Sequence, residues 1–259
     1  MPKYRSVSQY NTYSQCAYRY KLGYIDKVWK RPASWLSQGI AVHAAMEEWE
    51  KSGRALETID LIEIYKKEFR DSVNEQATVT PDFAYWFGSG RYGGAQDIER
   101  RFIIGKEQLL ELVAYCEGSP EEKIWTAPNG DVGIELGFNV ELGGVMVRGF
   151  IDQIIETPSG LRVRDIKTGA KPGDTFQLAA YAEALKQLYD VDVNEGDYLM
   201  GKTGRPTEVI PITEEDKKNV HETFKWLDES ITNESFEPNP SKSTCAMCDV
   251  KTSCEFAVS

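Results

Sequence analysis

Two aspartates and a lysine stand close together in the segment Gly149-Phe-Ile-Asp152-Gln-Ile-Ile-Glu-Thr-Pro-Ser-Gly160-Leu-Arg-Val-Arg-Asp165-Ile-Lys167. The Thr-Pro-Ser-Gly signal at 157–160 joins two runs rich in β-branched and apolar residues, which predicts an antiparallel hairpin. With those four residues as the loop, Glu156 faces Leu161, Ile154 faces Val163 and Asp152 faces Asp165. Alternation with period two puts Lys167 on the same face as both aspartates and Ile166 on the other. Carboxylates about 5 Å apart across strands repel unless a proton or a cation lies between them, so the patch suits a hard divalent ion such as Mg2+ or Mn2+. An arbitrary Asp-x-Lys tripeptide is more often the solvated face of an edge hairpin, and these residues alone leave that reading open.

Thiols form a second group. Three of the 5 cysteines are spaced Cys245-Ala-Met-Cys248-Asp-Val-Lys-Thr-Ser-Cys254. This is metal-ligand spacing and belongs to a reducing compartment, not to a disulfide framework. Structural Zn2+ and an iron–sulfur cluster both accept a four-thiolate shell, so spacing does not choose between them. Cys116 ends the apolar run that starts at Leu109 and reads as a small buried hydrophobe.

Two further sites sit on helices. Gln177 and Tyr181 share a face at the start of a helical pattern that runs through Leu185 and Leu188. Asp174, three residues before Gln177, allows a plain capping box, with Tyr181 as core. His43, one of 2 histidines, lies on the amphipathic stretch Gly39-Ile-Ala-Val-His43-Ala-Ala-Met-Glu-Glu-Trp49.

The elements that must position these groups follow from the pattern. Ser8 is expected to cap a first helix carrying Tyr10, Tyr13, Cys16 and Tyr20. Helical periodicity recurs at about 38–52, 56–76 and 96–117. Strand signals follow at 132–141, 145–152 and 161–167, with a fourth strand at 197–201 after the Gln177 helix. A last helix starts near Thr213, and 238–243 form an arm that returns the cysteines.

Composition bounds the partners. A chain of 259 residues with 41% hydrophobic content can bury one substantial core. The start Met-Pro-Lys-Tyr-Arg lacks an apolar signal core and no run of eighteen apolar residues occurs, so a soluble cytoplasmic protein, not a membrane one, is expected. A net charge of -11 opposes phosphate binding unless cations are local. Lys27, Lys30 and Arg31, then Arg100, Arg101 and Lys106, then Lys202 and Arg205 are the candidates. The stretch 81–94 sets aromatics, among them Tyr85, Trp86 and Tyr92, on a glycine-rich loop that could stack unpaired bases or pack on the core.

Taken together, these residues resemble the RecB branch of the PD-(D/E)xK nuclease superfamily, which includes CRISPR-associated and phage RecB-like exonucleases. Asp152 matches the aspartate of the first motif, Asp165 the acidic residue of the second strand and Lys167 the lysine two positions on; Ile151 stands where the superfamily name has proline. Gln177 and Tyr181 match the Gln-x-x-x-Tyr motif, and His43 matches the upstream histidine of exonucleolytic members. Cys16 resembles the N-terminal cysteine of the iron–sulfur members, with Cys16-Ala17 in place of the usual Cys-Pro.

The resemblance implies one α/β (α+β) domain over 1–259, a mixed central sheet flanked by helices, with a helical insertion at about 44–130 and an arm at 238–259. It implies that Cys16, Cys245, Cys248 and Cys254 hold a 4Fe-4S cluster, Zn2+ being the alternative. It also implies that His43, Asp152, Asp165 and the Ile166 carbonyl hold Mg2+ or Mn2+, and that Lys167 orients the attacking water or steadies developing charge. Gln177 and Tyr181 would position Lys167 or the DNA backbone, and Glu135 is a further acid near the site. The implied activity is metal-dependent DNA exonuclease in recombination, repair or replication, acting on DNA with a single-stranded end and working beside recombination proteins. A non-catalytic DNA-binding accessory protein and a metal-dependent hydrolase of RNA are the readings from other classes. Asp152→Ala, Asp165→Ala and Lys167→Ala are each expected to abolish DNA cleavage and leave the fold intact, and EDTA to stop the unaltered protein; full-rate cleavage in excess chelator refutes the assignment.

Overall fold

The computed structural model describes residues 3–258. Helices come first: α1 (Val7–Gln15), α2 (Ala17–Tyr20) with a π turn at Lys21–Ile25, α3 (Ser34–Lys51), α4 (Thr58–Val79) and α5 (Gly94–Glu117). Strands follow as β1 (Lys123–Ile124), β2 (Ile134–Leu142), β3 (Val145–Thr157) and β4 (Gly160–Lys167), then α6 (Thr175–Tyr189) and β5 (Glu195–Met200). Short β6 (Arg205–Pro206) and β7 (Ile210–Pro211), then α7 (Glu214–Thr232) and α8 (Lys242–Ala246), complete the order.

The seven strands form one mixed sheet in the order β1-β3-β4-β5-β6, with β2 also on β3 and β7 also on β5. Among the named strands of the described residues, only β4 and β5 run parallel to each other. A parallel pair needs a crossover, and α6 supplies it, so the helix carrying Gln177 lies directly after the strand carrying Lys167.

The β3–β4 hairpin has the register that its turn predicts. Thr157 Oγ1 donates to Gly160 O at 2.9 Å and accepts from Ser159 N–H at 3.2 Å. Gly160 closes the turn at φ +129, a conformation that an L side chain resists. Glu156 pairs with Leu161 and Ile154 with Val163, but the ladder ends at Gln153 and Arg164. The expected Asp152–Asp165 pair does not form; instead Asp152 Oδ2 accepts the Ile166 N–H at 2.7 Å.

A slip in β3 explains the early end. Val147 and Ile151, then Ile154, belong to the same apolar cluster, so the period-two alternation shifts by one at Asp152. Glu135 lies across from Asp152, between the pairs Ile134–Gln153 and Leu136–Ile151, and it carries a left-handed φ of +43. Such a conformation at a non-glycine residue costs about 1–2 kcal/mol.

Each face of the sheet packs its own helices. Ile151, Ile154, Val163 and Tyr198 meet α6 and α7 through Leu178, Leu185, Phe224 and Leu227. On the opposite face Ile166 and Leu199 meet α3, α4 and α5 through Val42, Trp49, Tyr65 and Leu109. Arg164 shares that second face and is 1% exposed. Its guanidinium grips Asp197 at 2.7 and 2.8 Å and Glu122 at 2.6 and 3.1 Å, while Arg162 reaches Asp197 at 3.4 Å. This forked pairing locks β4 to β5.

Local details correct the sequence reading. Ser6, not Ser8, caps α1, accepting the Gln9 N–H at 3.2 Å. The first helix also breaks at Cys16, which is extended at φ -165 and ψ 110. The short strands β1, β6 and β7 carried no signal of their own. Thr213 does cap the helix expected there, α7, in a capping box with Asp216, but α8 follows it and the helix is not the last. Removing Asp197 leaves a buried guanidinium short of its main partner, so Asp197→Ala is expected to lose about 3–5 kcal/mol in urea unfolding; a loss below about 1 kcal/mol would deny the network its role in joining the strands.

Candidate active site

Three elements bring acids to the C-terminal end of β4. From α3, His43 Nε2–H donates to the Ile166 carbonyl at 3.0 Å, and Nδ1 lies 3.3 Å from Glu135 Oε1 and 3.5 Å from Asp152 Oδ2. Ligand atoms of His43, Glu135 and Asp152 all fall within 4.8 Å of one another. The left-handed turn in β2 puts Glu135 in this group, and nothing in the sequence marks that turn. Sequence reasoning named Glu135 only as an extra acid.

Asp165 belongs to an adjoining ring of polar groups. Gln177 Nε2 donates to Asp165 Oδ1 at 2.6 Å and to the Tyr181 hydroxyl at 2.7 Å, and Tyr181 donates to the same Asp165 oxygen at 3.2 Å. Lys167 Nζ donates to Gln177 Oε1 at 3.0 Å. The donors and acceptors of Gln177 are thereby consistent with one orientation of its amide. Asp174 caps α6, but it does so through the Gln177 backbone N–H at 3.3 Å, which leaves the Gln177 side chain for the ring. Tyr181 is both buried, at 5% exposure, and part of the ring.

The electrostatics are those of a cluster short of positive charge. Burial raises the Asp152 carboxyl above the usual carboxylate range; the imidazolium of His43 opposes this, and Asp165 and Glu135 add to it. For His43, burial disfavours the cation, yet Asp152, Glu135 and Asp165 outweigh it and lift the imidazole to about 9. Burial first, then Asp165 and Asp152, hold the Tyr181 hydroxyl well above its ordinary value. Asp165 Oδ2 is buried and makes no hydrogen bond, although Lys167 Nζ lies 2.7 Å away in an ion pair. This carboxylate oxygen, with further carboxylates, an imidazole and a carbonyl beside it, belongs to a donor set that fits a hard divalent cation.

The thiols meet in a separate cavity that none of these site residues lines. Cys16, Cys245, Cys248 and Cys254 line one small cavity together with Arg19, Asn239 and Phe256. The Asn239 N–H donates to Cys16 Sγ at 3.4 Å. Arg19 pairs with Asp249 at 2.8 Å, and Tyr18 donates to Glu255 at 3.0 Å, which ties the arm to α2. Cys116 lies apart in the helical core, where burial pushes its thiol up to about 12.

Some expected nucleic-acid contacts are instead internal. Arg31 donates to the Tyr85 and Trp86 carbonyls, and Arg101 donates to Gln38 and Ser89 and pairs with Asp97. Trp86 is buried, its N–H given to Thr80 O at 2.8 Å, whereas Tyr85 is 63% exposed.

Fold and site together are those of a nuclease. A profile of the PD-(D/E)XK nuclease superfamily matches residues 4–255, and the chain belongs to that superfamily. The chain is similar to the Gene 69 protein of Mycobacterium phage D29, 42% identical over 258 residues and 96% of each chain. It is also similar to the Gene 69 protein of Mycobacterium phage L5, 41% identical over 277 residues, 96% of this chain and 95% of that one. A solved structure from Eubacterium rectale, described as a "Putative exonuclease", superposes with TM-score 0.53 at 14% identity, over 99% of this chain and 90% of that one. At that identity it shows the fold. No helix among the described residues is long and apolar enough to cross a membrane.

The raised His43 gives the site a pH signature. A folded-state value near 9 against an ordinary 6.5 means that the stability gained from the proton is complete below pH 6.5 and is lost as pH rises through about 9. A cation bound by His43 must displace that proton, so its affinity rises over the same window. In chelator, the melting temperature is expected to fall between about pH 6.5 and 9, and Mn2+ to restore more at the upper end than at the lower. A Mn2+ gain that is equal at both ends removes His43 from the metal.

Proposed function

We propose that the protein is a divalent-metal-dependent deoxyribonuclease that works from DNA ends and is held together by a 4Fe-4S cluster. The observation that carries this reading is the meeting of His43, Glu135 and Asp152 within 4.8 Å beside the Asp165–Lys167 ring. His43, Glu135, Asp152, Asp165 and the Ile166 carbonyl would hold Mg2+ or Mn2+. When bound, the metal polarises the scissile phosphate and lowers the pKa of a bound water.

The remaining steps belong to the chain. Lys167, held by Gln177 at 3.0 Å, presents an ammonium beside Asp165 that can orient the attacking water or steady charge on the phosphate. Gln177 holds that ammonium directly and Tyr181 acts through Asp165 Oδ1, its own proton kept in place by burial and the neighbouring carboxylates. Work from an end follows from the match of His43 to the exonucleolytic RecB-like members. The phage relatives fit a role in phage DNA recombination, repair or replication inside the infected cell.

A four-thiolate shell suits zinc and iron–sulfur alike, and the resemblance of Cys16 to the N-terminal cysteine of the iron–sulfur members is what supports the cluster.

End-labelled single-stranded DNA, duplex DNA, circular DNA and RNA separate the readings. Expected is Mn2+- or Mg2+-dependent release of nucleotides from DNA ends, with circular DNA spared. Cleavage of RNA alone turns the enzyme into a ribonuclease, and binding with no cleavage makes it an accessory protein. Anaerobically purified protein is expected to be brown with about four irons per chain, and Cys16→Ala to purify metal-depleted and less stable. One zinc per chain in colourless protein overturns the cluster.

A further inference from the structure

A trough runs away from the metal group between α3, α5 and the turn after β4. Its inner part, a cavity of about 610 Å³, is lined by Trp35, Leu36, Gly39, Arg100, Thr168 and Lys202 among others. Arg100 and Ile104 also line a second cavity of about 710 Å³ that extends to Tyr92, so the two adjoin. Thr168 directly follows Lys167, and Gly39 is one helical turn before His43, so the inner end lies beside both halves of the site. The floor is braced: Gln108 donates to Thr168 O at 3.1 Å and accepts from Gln38 at 2.6 Å.

The lining combines two chemistries. Lys202 is exposed and makes no hydrogen bond or ion pair among the described residues. Arg100 holds Asp97 only at 3.3 Å. Glu99, at the outer end, is the only acidic residue lining either cavity among the described residues, in a chain of net charge -11. Beside these cations Leu36 and Ile103 are 53% and 52% exposed. The Tyr92 ring has the Arg91 and Arg100 guanidiniums 5.3 and 5.1 Å from its centre.

A duplex turns its phosphates outward and keeps its base faces stacked inside. Cations alone would serve it. Exposed aliphatics and a cation-flanked aromatic ring have a partner only where bases are unpaired. We propose that this trough carries an unpaired DNA strand to the metal group, with Tyr92 stacking a base at the outer end and Arg100 and Lys202 on phosphates. The proposal rests on the nuclease reading of the site and names the substrate form that reaches it.

Binding of fluorescein-labelled oligothymidylate and of a blunt DNA hairpin, measured by anisotropy in chelator, tests it without the catalytic metal. Tyr92→Ala is expected to weaken oligothymidylate binding about tenfold. Lys202→Gln is expected to flatten its salt dependence by about 0.7 in log–log slope. Hairpin binding and melting temperature should hardly change. Both variants binding oligothymidylate like the unaltered protein, or losing the hairpin equally, overturns the proposal. Turnover of bis(p-nitrophenyl) phosphate, which has no neighbouring base for Tyr92 to stack, is expected to be unchanged in Tyr92→Ala; its loss together with strand binding would put Tyr92 in the metal site and overturn the trough. An unaltered protein that binds oligothymidylate yet cleaves no DNA refutes the nuclease reading and leaves the trough standing.

Discussion

Mutual repulsion of Glu135, Asp152 and Asp165 at the end of β4 is the constraint to which the surrounding structure answers. Two unit charges 4 Å apart interact by about 4 kcal/mol at the effective dielectric of a partly buried site, so three such groups cannot share a pocket unattended. The fold attends to each separately. Asp152 takes a backbone N–H from Ile166, Asp165 is given to α6 and Lys167, and His43 is held as a cation among all three.

Strand parity keeps this strained chemistry apart from the stabilising kind. Along β4, Arg164 and Ile166 face the helical layer of α3 to α5, where a guanidinium and an aliphatic side chain fix the strand. Asp165 faces α6 and the ring of polar groups. A single backbone thus carries two networks back to back, and the carbonyl of Ile166 connects the anchored face to His43.

Much of this was legible because it depends on counting. A four-residue turn fixes cross-strand partners, so the Ile154–Val163 register followed from the loop alone. Period 3.6 gave α3 to α5 to within a few residues, and the i, i+4 spacing put Gln177 and Tyr181 together. What was not legible depends on long-range geometry. The end of the β3–β4 ladder, the left-handed Glu135 and the slip at Asp152 arise where three strands and α3 meet, and no local residue preference announces them. Arg31 and Arg101 looked like surface cations, but their guanidiniums hydrogen-bond carbonyls and side chains of the same chain, which composition cannot reveal. At Cys16 the sequence continued a helical pattern, whereas the chain turns out there toward the arm that carries the other thiols.

Gln177 is gripped twice, its backbone N–H by the Asp174 carboxylate and its side-chain amide by Lys167 and Asp165. The segment from Lys167 to Gln177 is therefore a closed loop of chain and hydrogen bonds, like the links of a bracelet, and its length is part of the chemistry. Adding or deleting a residue at 168–173 would rotate the start of α6 and withdraw the amide from the lysine. Across the same hairpin, the 157–160 turn reaches a different acid, Ser159 Oγ donating to Glu195 at 3.1 Å, so its length does not set the spacing of Lys167 and Gln177.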